Sequence, residues 1–192
     1  AMAGGEEELF ITLEGNFNNI LDWSLDGRFL IYRSLNPQTN YDLWLVPMTE
    51  EPKPVPFLKT PFNENDASLS PDGRWVAYHS DESGRNELYV QSFPTPGSRT
   101  QISTDSASVW WRRADEILYL SADSGTVMAV AVETGDSVKV GASRSLFKLP
   151  TGTTEITASP DGQRFLVIMG VAGRAHSAPT VVVNWDAGLL KP

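Results

Sequence analysis

The sequence contains no cysteine in its 192 residues. Without cysteine there is no disulfide bond, no thiolate metal ligand and no cysteine nucleophile, although the redox state of the compartment stays open. Histidine is scarce as well, because His79 and His176 are the only two. A nucleophile activated by a histidine base would have to use one of these side chains.

Basic residues are also few, with 15 lysines and arginines against 24 acidic residues and a formal net charge of -9. A negative field repels nucleic-acid phosphates and anionic lipid surfaces, so nucleic acid is not an expected partner. Apolar runs such as 127–132 are far shorter than the roughly 20 residues of a membrane-spanning helix, and we expect no membrane insertion by this segment. The apolar content of 41% is nevertheless enough for one domain with a sizeable core.

The chain has no stretch of about twelve residues that keeps a helical period without proline or glycine, so little helix is expected. Instead a turn motif recurs about every 43 to 46 residues, in four copies at 22–32, 68–78, 109–119 and 157–167. A repeat of roughly 40–50 residues is typical of the four-stranded blades of β-propellers. The predicted fold class is therefore all-β: a β-propeller of about four four-stranded antiparallel blades, either complete or half of a larger or dimeric propeller.

Each copy centres on a turn, Ser-Pro-Asp-Gly in its clearest form, that suits a connection between two antiparallel strands. Proline presets φ, aspartate caps the backbone and glycine adopts positive φ at no steric cost. The run after each turn is apolar on both faces, as expected for sheets stacked face to face. We predict these second strands at 29–32, 75–78, 117–120 and 165–169, third strands at 42–46, 87–91, 126–130 and 180–184, and fourth strands at 55–58, 99–102 and 145–148.

These strands divide the chain into one domain of four units. Residues 1–8 are interpreted as a tag remnant and an N-terminal extension, because an initiator methionine would not normally stand second. Residues 9–192 form the single predicted propeller domain. Its units are about 20–58, 66–102, 107–148 and 155–185, with a closing strand at 9–13.

The turn beginning at Ser70, the segment 61–65 and the run from Ser80 to Val90 resemble TolB-like, WD-repeat-like β-propellers. The likeness is greatest to the C-terminal half of the propeller of bacterial membrane-bound serine/threonine kinases, whose terminus is similar to residues 178–190. This resemblance implies the sensor part of a larger signalling protein in a periplasmic or cell-surface location. Kinase activity is not implied, because the glycine-rich loop, the His-Arg-Asp motif and the Asp-Phe-Gly motif are all missing.

The last unit lacks a fourth strand of its own, and the segment Leu9–Leu13 could supply it. Pairing of this segment beside Thr180–Trp185 would close either a four-bladed ring within one chain or an eight-bladed ring between two chains. Propellers of the resembled family have more than four blades, which favours the homodimer.

Two groups of residues are candidates for ligand binding. The polar residues Asn63, Glu64, Asn65 and Asp66 precede or open an inner strand, so they are expected on a loop-bearing face near the axis. The competing interpretation of this and the other acidic clusters is a set of solvated turns. The second candidate is Trp111 with Arg112 and Arg113, since guanidinium groups beside an aromatic ring can bind a carboxylate. Packing in the core is the competing interpretation for Trp111 and for the other tryptophans.

No catalytic residue, metal site or cofactor is predicted. His79 ends a buried strand and is expected to be structural, while His176 and Ser177 lie in a loop without a Gly-x-Ser-x-Gly elbow. The predicted function is a non-catalytic module that binds a protein, peptide or small polar ligand on the face made by the loops before the inner strands and between second and third strands. Two alternatives remain open: a substrate-filtering propeller of a prolyl-oligopeptidase-type hydrolase and a purely structural assembly domain.

Overall fold

The computed structural model describes residues 11–13, 16–122, 125–159, 161–169 and 180–183. All regular structure in these ranges is β, and the described part of the chain contains no helix that could span a membrane. Blade 1 consists of β1 (Asn16–Trp23), β2 (Phe29–Asn36), β3 (Asn40–Pro47) and β4 (Val55–Leu58); blade 2 of β5 (Glu64–Leu69), β6 (Trp75–Ser80), β7 (Glu87–Ser92) and β8 (Arg99–Ser103); blade 3 of β9 (Ser106–Arg113), β10 (Glu116–Ser121), β11 (Thr126–Thr134) and β12 (Val138–Lys148); blade 4 of β13 (Thr153–Ala158), β14 (Arg164–Met169) and β15 (Thr180–Val183).

Each blade is an antiparallel meander whose strands lie in sequence order, which confirms the predicted four-unit, all-β architecture. The outer strand of blade 3 differs from its prediction because β12 begins at Val138 rather than at residue 145. In the predicted closing segment, residues 11–13 form no strand, and residues 9 and 10 lie outside the described ranges. The closing strand therefore stays a prediction.

The turns between first and second strands explain why the repeat motif is needed. In blade 2, the Ser70 hydroxyl donates to Asp72 Oδ1 at 2.6 Å and accepts from the backbone N–H of Trp75 at 2.9 Å. Gly73 closes the turn at φ 65°, a conformation that disfavours any side chain. Blades 1 and 4 repeat this network through Ser24 and Ser159.

Successive blades pack face to face through three apolar clusters, one at each junction between blades 1 and 2, 2 and 3, and 3 and 4. Both faces of the middle strands are used: Val76 packs towards blade 1, and its neighbour Ala77 packs towards blade 3. The inner strands are also linked by side chains. Asp22 Oδ2 accepts from the N–H of Leu69 at 2.9 Å, and the Ser68 hydroxyl accepts from the N–H of Trp111 at 2.9 Å.

The four blades form an open arc in the described part of the chain. The inner strand β5 lies beside β1 and β9, and β9 lies beside β13, but β13 makes no comparable contact with β1 among the described residues. The interpretation of the tryptophans as core residues does not hold for Trp23, which is 56% exposed on β1 at the open end of the arc.

Candidate functional site

The candidate residues predicted around Asn63 lie where the inner strand of blade 2 begins. This end of the blades carries the loops between blades and the loops between second and third strands, as predicted. Asn63 joins both loop types: its N–H and side-chain amide donate to Asp81 at 2.8 and 2.7 Å, and its Oδ1 accepts from the Tyr41 N–H at 3.3 Å. Asn63 therefore fixes the loops of two blades rather than presenting a free amide.

Glu64 is a buried carboxyl group directly beside this bridge. Its Oε1 accepts from the Thr60 hydroxyl at 2.5 Å, and its Oε2 has no hydrogen-bond partner. Burial, together with the nearby negative charges of Asp42 and Asp81, raises the pKa of Glu64 to about 7, although the hydrogen bonds from Thr60 oppose the rise. At neutral pH this group is therefore poised between its protonated and charged forms.

Asp66 is the most strained residue of the site. It lies at an irregularity of the β5–β6 pairing between Asn65 and Ala67, and its φ is 45°, which is uncommon for a residue with a Cβ. Its Oδ2 accepts from the Val109 N–H of blade 3 at 3.2 Å, and 32% of its side chain is exposed. Desolvation among the packed strands raises the pKa of Asp66 to about 6, while the Val109 bond and the positive charge of Arg33 lower it.

A positive and an amide group stand beside Asp66. The Arg33 guanidinium, contributed by β2 of blade 1, donates from Nη1 to Asn65 Oδ1 and lies 4.8 Å from the centre of the Tyr41 ring. Asn65 Oδ1 also accepts from the N–H of Asp66 at 2.8 Å. Arg33, Asn65 and Asp66 are each half-buried, so they present a cation, an amide and a carboxylate together at the loop-bearing face.

Behind Asp66 lies a buried serine–histidine pair. His79 Nε2 is 2.8 Å from Ser106 Oγ, and His79 Nδ1 is 3.9 Å from Asp66 Oδ2, beyond hydrogen-bond distance. His79 and Ser106 are both fully buried. Burial lowers the pKa of His79 to about 4, so its ring is neutral at physiological pH.

The second predicted group is not brought together as a site. Trp111 is 2% exposed and packs in the cluster between blades 2 and 3, where a ligand cannot stack on its ring. Arg113, the last residue of β9, is exposed, and its Nε is 3.6 Å from Asp115 Oδ1. The side chain of Arg112 and the whole of His176 lie outside the described residues.

Sequence reasoning missed Arg33, Tyr41, His79 and Ser106 as neighbours of Asp66. They come from blades 1, 2 and 3, and no local motif marks them. An arginine directly after the apolar run 29–32 was the one signal in the sequence. Within the described ranges, no group of three or more His, Asp or Glu side chains is arranged to hold a metal ion.

Comparison with solved structures decides the fold. TolB from Acinetobacter baumannii superimposes with a TM-score of 0.64 at 17% identity, over 85% of this chain and 40% of that one. A putative TolB from Agrobacterium tumefaciens gives a TM-score of 0.53 at 17% identity, over 70% of this chain and 52% of that one. The fold is a TolB-like β-propeller.

The same fold extends to more distant propellers. The β-propeller domain of Cps50 (Swd1) from Myceliophteria thermophila matches with a TM-score of 0.53 at 11% identity, over 83% of this chain and 51% of that one. This chain thus spans about half the length of the solved TolB-like and WD-type propellers it matches. No protein-family model and no curated protein sequence matches it.

Proposed function

We propose that this TolB-like propeller segment is a non-catalytic binding module whose loop-bearing face takes a polar peptide segment of a partner protein at Asp66. The observation that carries this proposal is the state of Asp66 itself: positive φ at a residue with a Cβ, a raised pKa and a side chain that is one-third exposed. Strained backbone and perturbed pKa values are concentrated at functional sites. Asp66 also has a structural role, because its Oδ2 accepts a hydrogen bond from the Val109 N–H of blade 3.

The groups around Asp66 suit the backbone of a peptide. A carboxylate accepts peptide N–H groups, while the Arg33 guanidinium and the Asn65 amide can donate to peptide carbonyls. The Tyr41 ring, on which Arg33 rests, adds an apolar surface beside them. Such a mixed set fits a polar peptide better than a phosphate or a polyanion, because the chain carries a net charge of -9.

The buried serine–histidine pair supports a non-catalytic role. Ser106 Oγ is covered on all sides, and the neutral His79 lacks a hydrogen bond to Asp66 that would orient it as a base. We therefore expect no labelling of Ser106 by a fluorophosphonate probe under native conditions. Labelling that is lost in Ser106→Ala would contradict the non-catalytic proposal.

The resemblance of the Ser70–Tyr78 region to propellers of membrane-bound kinases supports a sensor role outside the cytoplasm. In that setting the peptide-binding face would report a partner protein to a kinase on the other side of the membrane. An open reading frame with an upstream kinase domain and membrane helix supports this role. A downstream Gly-x-Ser-x-Gly hydrolase domain contradicts it.

Asp66→Asn is the variant that tests the site. Asparagine tolerates positive φ and keeps the size of the side chain, so the fold should be retained. A charge-assisted hydrogen bond contributes about 1.5–3 kcal/mol, so retention of array-bound 12-residue peptides should fall by about tenfold or more. Asp136→Asn, an exposed change in the turn between β11 and β12, is the matched control and should leave retention unchanged.

The pH dependence gives a second readout of the same site. Because the pKa of Asp66 is about 6, the carboxylate is charged at pH 7.5 and protonated at pH 5. Peptide retention by the unmodified chain should be weaker at pH 5, whereas retention by Asp66→Asn should change little. Equal retention by Asp66→Asn and Asp136→Asn would overturn the proposal.

A further inference from the structure

One position of the repeat is buried in three blades and exposed in the fourth. The position is the inner-strand residue that pairs with the second residue of the second strand, and it lies on the blade face directed towards the preceding blade. In blades 1 to 4 it is occupied by Trp23, Leu69, Trp111 and Ala158. Leu69, Trp111 and Ala158 are 5%, 2% and 7% exposed, whereas Trp23 is 56% exposed. Blade 1 thus carries the usual inter-blade residue with no blade against it among the described residues.

Further out on this face, blade 1 carries the same kind of aromatic pair that blade 2 uses for packing, and Tyr32 of this pair is 2% exposed within one chain. In blade 2, the rings of Tyr78 and Tyr89 stack at 6.0 Å and are buried against blade 1. In blade 1, Tyr32 and Trp44 occupy the equivalent positions and stack at 6.4 Å with a similar angle. A cavity of about 550 Å³ lies over this second stack, and Thr12 of the same chain lines part of it. This face of blade 1, which is uncovered at Trp23, is here called the open face.

One oxygen of a buried acid on the open face also lacks a partner, although Thr39 and Asn36 donate to the other oxygen. In blade 2, Glu87 Oε2 accepts from the Tyr89 hydroxyl at 2.7 Å. The equivalent acid of blade 1 is Asp42, and Trp44 stands in place of the tyrosine without a hydroxyl group. Asp42 Oδ1 is consequently buried without a hydrogen-bond partner at the wall of the cavity. An occupant that brings a donor to Asp42 would satisfy it.

The other end of the arc carries the complementary surface. In blade 4, Phe165 packs on blade 3, and Val167, two residues further along the strand, is fully buried, so the alternating residues Leu166 and Ile168 face away from blade 3. Leu166 occupies the repeat position of Ile31, which blade 1 uses to pack on blade 2. Each chain therefore has the open face at its blade 1 end and an aliphatic face at its blade 4 end.

We propose that the open face of blade 1 docks blade 4 of a second copy of this chain. Two copies related by a two-fold axis satisfy both ends of both arcs at once and close a ring of eight blades. The occupant is a second copy because blade 4 has the aliphatic face that blade 1 already uses towards blade 2.

The oligomeric state and the variant Trp23→Glu test this interface. Light scattering should give a mass of about 42 kDa, twice the 21.1 kDa of one chain. Trp23 is exposed within one chain, so Trp23→Glu should fold, but a charge among desolvated rings should weaken dimerisation by about a hundredfold or more. Val140→Asp, which alters an exposed apolar residue on β12 of blade 3, is the matched control and should stay dimeric.

Cross-linking tests the arrangement independently of these variants. The chain has no cysteine, so Trp23→Cys and Leu166→Cys each introduce a single thiol. A short bis-maleimide should link the two variants when they are mixed, and it should link neither variant to itself. A monomer at all concentrations, a dimer that Trp23→Glu leaves intact, or cross-linking of Trp23→Cys alone would overturn the proposal.

Discussion

Replacing Trp111 with alanine is expected to lower the free energy of unfolding by about 3–5 kcal/mol. Trp111 is among the largest fully buried side chains, and it fills the junction between blades 2 and 3 together with Trp75 and Leu88. Its removal costs the transfer free energy of the indole and leaves a cavity that two hydrogen-bonded sheets cannot collapse to fill. Urea unfolding followed by circular dichroism measures the change.

Trp111→Phe separates ring packing from polarity. The indole N–H of Trp111 is buried without a hydrogen-bond partner, so phenylalanine removes an unsatisfied donor along with part of the ring. We expect a loss of only about 1–2 kcal/mol for this variant. Leu25→Ala, at an exposed turn position, should change stability by less than about 0.5 kcal/mol. A Trp111→Ala protein as stable as Leu25→Ala would show that this junction is not closely packed.

The repeat was predictable from sequence because its chemistry is local. Asp26, Asp72 and Asp161 each accept from the N–H two residues later, in the turn that the Asp-Gly pair predicts. The backbone N–H of Arg28, followed by the Ser24 hydroxyl, lowers the pKa of Asp26 to about 2. Such turns depend on five or six consecutive residues, so a single sequence contains all the information they need.

The outer strand β12 was underestimated for a physical reason. Its residues from Lys139 to Ser145 are exposed and largely polar, so no apolar alternation marks them as a strand. Their conformation comes from pairing with β11, where Val132 lies opposite Val140. Edge strands of this kind are specified by their neighbour rather than by their own pattern.

The sequence predicted the end of the blades at which the candidate residues lie, but it did not predict the contacts among them. Blade order alone puts Asn63 to Asp66 at the loop-bearing end. The contacts that define the site join Asp66 to Val109 and Arg33 to Asn65, across blade boundaries and 43 and 32 residues apart in sequence. The residues of one blade that contact a given residue of the next blade depend on strand irregularities such as that at Asp66. The repeat period of the sequence does not encode these irregularities.

The exposure of Trp23 depends both on the repeat and on the position of blade 1 at the end of the arc. The repeat makes this position apolar in every blade, so a buried tryptophan was the reasonable expectation. Its exposure follows from its place at the end of the arc, where the described residues offer no preceding blade. Propeller stability is largely a sum of blades and blade junctions, and an unfilled end leaves apolar surface that a partner can use.

Glu64→Gln should stabilise the protein at high pH and leave its stability unchanged at low pH. The pKa of Glu64 is raised from 4.5 to about 7 in the folded chain, so the folded state binds more protons than the unfolded state between these values. The free energy of unfolding therefore falls as pH rises through this window. Glutamine mimics the neutral acid and removes the fall, which gives an advantage of about 2 kcal/mol at pH 8.

Comparing Glu64→Gln with the unmodified chain isolates this one group. Asp66 has a raised pKa and His79 a lowered one, so their effects on stability oppose each other below pH 6.5, but both are present in the two proteins and cancel. Glu133→Gln, at an exposed ion pair with Lys139, is the matched control and should show no pH-dependent advantage. Urea midpoints at pH 4, 6 and 8 measure the difference. An advantage that is the same at all three pH values would show that folding does not shift the pKa of Glu64.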